Sequence, residues 1–264
     1  MEGVTRTVAL IVLAVALAVG AIVAVGCGDS DSAPDATAAP GPKPEAASGA
    51  DPEPAAKDPG ELQISSHGHP VLSVRSGREV EIHSAPGGPV VRTVGDETEF
   101  GSPRIFSVAR TEGEWAGVPN PFTGNGTLGW IRLDPRDLRP GYTRQSVVVD
   151  LSEHRAELLR ADRVVRSFTV TIGAPGTETP TGSFAVTDTF RGHLNPAYGC
   201  CAVALTAEQP KLESGWLGGN RIAIHGTTGL LGVALSHGCI RAADRDVSAL
   251  VDTLAPGTPV TVRA

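Results

Sequence analysis

Ile224-His225-Gly226 and, after an eight-residue gap, Leu235-Ser236-His237-Gly238-Cys239-Ile240-Arg241 are the stretch on which the reading of this chain turns. Two histidines and one cysteine fall within 15 residues. A cysteine that transfers acyl groups needs a thiolate, a base to carry its proton and N–H donors for the tetrahedral oxyanion. A free thiol ionises near pH ~8.5, and a cationic histidine beside it commonly lowers that to ~3.5–7.5. Gly238 lets a substrate carbonyl approach the backbone, so the amides near Gly238 and Cys239 are candidate oxyanion donors. Ser236 offers a hydroxyl to orient a ring. Spacing alone leaves two other readings open. His225, His237 and Cys239 with His193 make a four-ligand zinc set, although His-Gly-Cys is not a familiar zinc spacing. A buried cysteine with hydrogen-bonded histidines is the third reading.

Working outward, the flanking sequence reads as strands. Val147-Val148-Val149, Ala156 to Leu159, Ser183 to Thr187, Arg221 to Ile224 and Pro259 to Val262 alternate or run apolar. Val164 to Ile172 reads as one strand, with Phe168, Val170 and Ile172 on one face and Thr169 and Thr171 on the other. One helix is expected, capped by Asp244, with Val247, Leu250, Val251 and Leu254 as its apolar stripe and Pro256-Gly257 as its stop. Residues 71–140 form a second β region. Val80 to Ile82 and Val90 to Val94 flank Ala85-Pro86-Gly87-Gly88 as a hairpin. Ile105 to Val108, Trp115 to Val118 and a last strand starting at Gly129-Trp130-Ile131 follow. Trp115 and Trp130 read as core residues or as part of a ligand groove.

Aromatics are only 4% of the 264 residues, while glycine numbers 32 and proline 21, which favours short strands and dense turns over a helical bundle. The net charge is −7, of which residues 28–62 carry −6. The remainder is near neutral and offers no basic footprint for nucleic acid. Residues 28–62, rich in Ala, Pro, Asp, Gly, Ser and Glu, bury no core and read as a tether. His67-Gly68-His69 at its end supplies two metal ligands, too few for a site and expected as a surface loop.

Residues 8–26 form an uncharged apolar run of about 28 Å as a helix, against a bilayer core of ~30 Å. It ends in Ala24-Val25-Gly26-Cys27, small residues before a cysteine, as at a bacterial lipoprotein processing site. A lipid anchor on Cys27 and an uncleaved signal anchor both place everything after Gly28 outside the cytoplasmic membrane. With Cys27 lipidated, Cys200, Cys201 and Cys239 remain, and an odd number cannot all pair within one chain. At least one thiol is then free in an oxidising compartment. Cys200 and Cys201 are expected as two buried small residues away from the motif histidines.

Ser236-His237-Gly238-Cys239 preceded by Ile224-His225-Gly226 resembles the signature of the L,D-transpeptidase family, the YkuD-type catalytic domain. Upstream, Gly173-Ala174-Pro175-Gly176 and Thr179-Pro180-Thr181-Gly182-Ser183-Phe184 resemble that family's Gly-rich, Thr-Pro-x-Gly-x-Phe stretch. Gly113-Glu114-Trp115 and Gly129-Trp130-Ile131 more loosely resemble bacterial Src-homology-3-like modules. The resemblance implies a mainly β chain: a small β-barrel-like module at 71–140, then a β-rich L,D-transpeptidase catalytic domain at 146–264 with one C-terminal helix. It implies Cys239 as nucleophile, His225 as proton acceptor and donor, and His237, Gly238, Ser236 and Gly226 as oxyanion and orienting residues. It implies no metal or organic cofactor, and peptidoglycan stem peptides as partners. Hydrolysis by the same thiol is one rival, and a non-catalytic wall-binding lipoprotein another. Where the family pattern often has Asn, this chain has Arg241, a fixed positive charge suited to a substrate carboxylate or to a surface ion pair. Tyr198 and Trp216 are candidates for a lid.

Overall fold

The computed structural model describes residues 68–212 and 219–264, which fall in one compact unit. The apolar run 8–26, Cys27, the tether 28–62 and Trp216 lie outside the described residues. Among the described residues no helix is long and apolar enough to cross a membrane.

The first eight strands are β1 (His69–Val74), β2 (Val80–His83), β3 (Val90–Val94), β4 (Ile105–Ser107), β5 (Arg110–Glu112), β6 (Trp115–Pro119), β7 (Leu128–Arg132) and β8 (Leu138–Thr143). They make a sheet of order β4-β1-β8 and another of order β3-β2-β7-β6-β5, which together give the barrel-like module. The expected hairpin is β2–β3, antiparallel, with Ser84 N–H donating to Pro89 O across its turn. β7 is not the last strand of the module. Leu138–Thr143 adds β8, which pairs along the whole of β1. The module closes on Leu72, Ile82, Val118, Ile131 and Leu138, all without exposed surface. Each such burial contributes ~1.5–3 kcal/mol. Trp130 is core, whereas half-buried Trp115 stacks edge-on against His83 and lines an open groove.

The remaining strands are β9 (Gln145–Asp150), β10 (Arg155–Arg160), β11 (Arg163–Thr169), β12 (Ile172–Gly173), β13 (Gly182–Arg191), β14 (Cys201–Glu208), β15 (Arg221–Thr227), β16 (Ala234–Ser236), β17 (Ile240–Ala243) and β18 (Pro259–Arg263). Eight of them form one sheet in the order β11-β10-β9-β18-β13-β14-β15-β17, while β12 and β16 pair separately. Most neighbours are antiparallel, but β9–β18 and β15–β17 are parallel. The strand expected over Val164 to Ile172 breaks after Thr169. Phe168 and Val170 are buried as expected, but Thr171 is 1% exposed as well. The break follows from long-range pairing: Thr171 exchanges both backbone hydrogen bonds with Arg241, and its hydroxyl donates to Leu230 O.

The single described α-helix, α1 (Asp244–Thr253), buries Val247 and Leu250 against β14 and β15. Asp244 does not cap it. Ala243 is the N-cap, and the Asp244 carboxylate accepts the Cys200 N–H at 3.2 Å. That contact ties the helix start to the loop before β14.

The barrel-like module meets the large sheet through specific polar contacts. The Thr98 hydroxyl donates to buried Asp188 at 2.6 Å, and Arg221 pairs with Glu99. The Asn125 side chain donates to Glu208 O at 2.6 Å and accepts the Glu208 N–H at 2.9 Å, acting as one extra rung at the end of β14.

Candidate active site

β15 and β17 lie side by side in parallel, with His225 opposite Arg241, and Cys239 stands directly before β17. The sheet thereby brings His225 and Cys239 to one cleft of about 280 Å³, lined also by Tyr198, Gln209, Arg221, His237 and Arg241. His225 is 3% exposed, and its Nδ1 is 2.9 Å from Gly226 O. A carbonyl only accepts, so Nδ1 carries the hydrogen and Nε2 holds the lone pair of the neutral ring. The Tyr198 ring packs edge-on against His225 with centroids 4.9 Å apart. Tyr198 thus lines the cleft as expected, while Trp216 lies outside the described residues.

The turn carrying Cys239 is braced from within and from behind. The Ser236 hydroxyl accepts the Gly238 N–H at 3.1 Å and donates to Cys239 O at 2.6 Å. It is engaged with backbone rather than with a histidine ring, and it occupies the Gly238 amide that the sequence offered as an oxyanion donor. Gly238 has φ +108°, and a Cβ there would fall 2.4 Å from Gln209 Nε2 and 2.9 Å from Ile222 Cδ1. Only glycine suits both the conformation and the space. At Gly226 the crowding comes from Asp244, whose Oδ1 would be 2.1 Å from an added Cβ.

The upstream motif supplies the outer brace. Buried Thr179 accepts the Gly173 N–H at 2.9 Å and donates to Gly238 O at 2.8 Å. Ala174 N–H and the Thr177 hydroxyl both donate to Ser236 O, at 2.8 and 3.1 Å. The Gly-rich segment therefore positions the Cys239 turn. His237 is exposed and lines both this cleft and a second one bounded by Ala174 to Thr177, Lys211 and Leu235.

Burial pushes the Cys239 thiol up from its ordinary value, against the Ala223 backbone hydrogen bond and the nearby charge of Arg241. Burial pushes His225 down, the Gly226 hydrogen bond opposes this, and Arg241 adds to the depression. Both shifts favour the neutral forms, a thiol and an imidazole, over a thiolate beside a cationic histidine. The sign of the pH dependence follows. His225 accepts a proton only when neutral, so acylation falls on the acid side with a midpoint below pH ~6.5. Arg241→Gln removes a charge that disfavours the imidazolium and moves that midpoint upward. A pH series of acylation rates for both proteins checks the direction.

The Arg241 Nε is buried and, among the described residues, has no hydrogen-bond partner. Arg221, also on the cleft, is engaged with Glu99 and Leu205 O. No group of three His, Cys, Asp or Glu residues able to hold a metal occurs among the described residues, and His193 is not among the residues lining the cleft with Cys239. Cys200 and Cys201 are not two separate thiols but a disulfide, and Cys239 is free. Nor are they remote from the motif: Ala202, the next residue, is opposite His225. Sequence assigned Gln209 and Thr179 no individual role in the site and offered Asp244 only as a helix cap. Thr179 was within reach as part of Thr-Pro-x-Gly, whereas nothing local marks Gln209.

Residues 144–262 match the model of the YkuD family, the L,D-transpeptidase catalytic domain. A Bacillus licheniformis protein named as an L,D-transpeptidase YkuD is 28% identical over 147 residues, covering 54% of this chain and 81% of that protein. The L,D-transpeptidase of Enterococcus faecium, solved as a mutant, is 19% identical with a TM-score of 0.36 over 46% of this chain and 50% of that one. L,D-transpeptidase 3 of Mycobacterium tuberculosis is 17% identical, with a TM-score of 0.39 over 52% of this chain and 74% of that one. The match thus spans about half the length of the E. faecium chain. Likenesses that low decide no residue's role. The segment 144–262 is an L,D-transpeptidase catalytic domain of the YkuD family.

Proposed function

We propose that the protein is a peptidoglycan L,D-transpeptidase that cross-links stem peptides through a thioester on Cys239. The observation that carries this reading is the shared cleft of Cys239 and a buried His225 whose Nδ1 is committed to Gly226 O. Nε2 is the one ring atom left to take the thiol proton. Sγ attacks the carbonyl carbon of the third residue of a tetrapeptide stem while its proton passes to Nε2. The Cys239 amide is the oxyanion donor we assign, with the Gly238 amide held by Ser236 and His237 at the rim. Collapse breaks the C–N bond, and His225 returns the proton to the departing D-alanine amine. An amine of a neighbouring stem then attacks the thioester, His225 accepts its proton, the C–S bond breaks, and His225 passes that proton to the departing sulfur to restore the thiol. Arg241 suits a stem carboxylate, because its buried Nε has no hydrogen-bond partner among the described residues. Tyr198 covers the imidazole and limits water beside it.

The test is incubation of the protein with a tetrapeptide muropeptide, with products resolved by mass. Cross-linked dimer supports transfer to an amine, tripeptide alone supports hydrolysis, and unchanged substrate overturns the reading. The location we assign is the outer face of the cytoplasmic membrane, held by a lipid on Cys27 or by the apolar run 8–26, with residues 28–62 as spacer. Cys27→Ser leaves a processed lipoprotein uncut and without lipid. Unchanged size and lipid labelling in that variant favour the signal anchor instead.

A further inference from the structure

Gln209 belongs to no motif, yet its carboxamide meets the Cys239 turn from behind. The residue is 3% exposed and follows β14, and its backbone N–H donates to Asn220 O at 2.7 Å. Its side-chain Oε1 accepts the Lys211 N–H at 3.0 Å, which orients the amide. Nε2 then lies 3.1 Å from Thr177 O, 3.1 Å from Glu178 O and 3.3 Å from His237 O. The two hydrogens of one NH2 group thus serve carbonyls from both segments that brace Cys239. The same nitrogen is the atom that a Cβ on Gly238 would strike.

We infer that Gln209 is a positioning residue for Cys239: it holds the His237 carbonyl, so keeping Gly238 in its left-handed conformation and the thiol facing His225. The inference rests on Cys239 as the nucleophile, and it goes beyond that reading by giving the turn an anchor outside its own sequence. The backbone of Glu208, one residue before, is held by Asn125 of the barrel-like module. Gln209 is therefore tied, through its chain neighbour, to the barrel-like module as well as to the turn it holds.

The test compares wild type, Gln209→Met and Gln209→Glu as full-length proteins, by carbapenem acylation over a range of drug concentration and pH. Methionine keeps the bulk and loses the donors. The limiting acylation rate should fall about 10- to 100-fold, as small misplacements of a reacting group do, with half-saturation within about threefold of wild type. Glutamate turns an acceptor towards three carbonyls, and its carboxyl regains an O–H donor on protonation. Its deficit should therefore shrink as the pH falls towards 5. Hydrogen exchange should rise selectively in the peptide spanning Ser236 to Arg241 in the methionine variant. A methionine variant as fast as wild type, a change confined to half-saturation, or a glutamate deficit flat with pH overturns the inference. If wild type gains no adduct on Cys239, the nucleophile assignment fails instead. Hydrogen exchange then decides alone, with unchanged exchange overturning the inference and selective loosening supporting it.

Discussion

Cys239→Ala abolishes covalent acylation by a carbapenem, while wild type gains a single adduct on the peptide containing Cys239. A strained lactam carbonyl presents the same electrophile as the scissile amide, and among the described residues Cys239 is the free thiol. His225→Ala keeps the thiol but removes the acceptor of its proton. Because burial raises the thiol pKa and so disfavours a free thiolate, that loss should slow acylation by about 10²- to 10⁴-fold. A weaker effect would mean that the thiolate forms without the imidazole. A chelator should leave wild type unchanged. Silencing by EDTA would revive a zinc site on His225, His237 and Cys239, and an adduct persisting in Cys239→Ala would end the nucleophile assignment. Intact-mass spectrometry with peptide mapping reads every arm.

Gly238→Ala is expected to reduce the acylation rate at least about 100-fold, because it moves the turn that carries the thiol. A side chain at φ +108° is strained, costing of order 1–3 kcal/mol. The new methyl also has nowhere to go, with Gln209 Nε2 at 2.4 Å and Ile222 Cδ1 at 2.9 Å. Gln209 cannot simply swing aside without giving up its hydrogen bonds to the carbonyls of Thr177, Glu178 and His237. The thermal midpoint of the variant, measured beside its acylation rate, separates the two consequences. A folded variant with wild-type rate would mean that the turn tolerates another conformation.

Much of the architecture was legible because it rests on short-range signals. Val147-Val148-Val149, Ser183 to Thr187 and Arg221 to Ile224 alternate or run apolar, and all lie in strands of the large sheet. The β2–β3 hairpin was legible from two apolar runs around Ala85-Pro86-Gly87-Gly88. Val164 to Ile172 misled for the opposite reason. Its local alternation continues to Ile172, but Thr171 is claimed by Arg241, 70 positions away, and the strand ends. β8 was missed because Leu138-Arg139-Pro140-Gly141 has the composition of a turn, and its pairing with β1 outweighs that.

The same division runs through the candidate site. Sequence alone determined which residues are the candidates for chemistry: a cysteine and a histidine 14 positions apart in a recognisable order, with a glycine where the backbone must bend. It also determined that the chain is mainly β and that its charge sits in the tether, since composition and period are properties of the string. The tertiary structure decided the electrostatics and the geometry. Burial shifts both groups towards their neutral forms, Gly226 O chose the tautomer of His225, and Ser236 took up the Gly238 amide. Pairing joined Cys200 to Cys201, and Gln209 reached across about 30 residues to the turn. Desolvation and hydrogen-bond direction depend on which atoms surround a group in space, and those neighbours come from strands far apart in the chain.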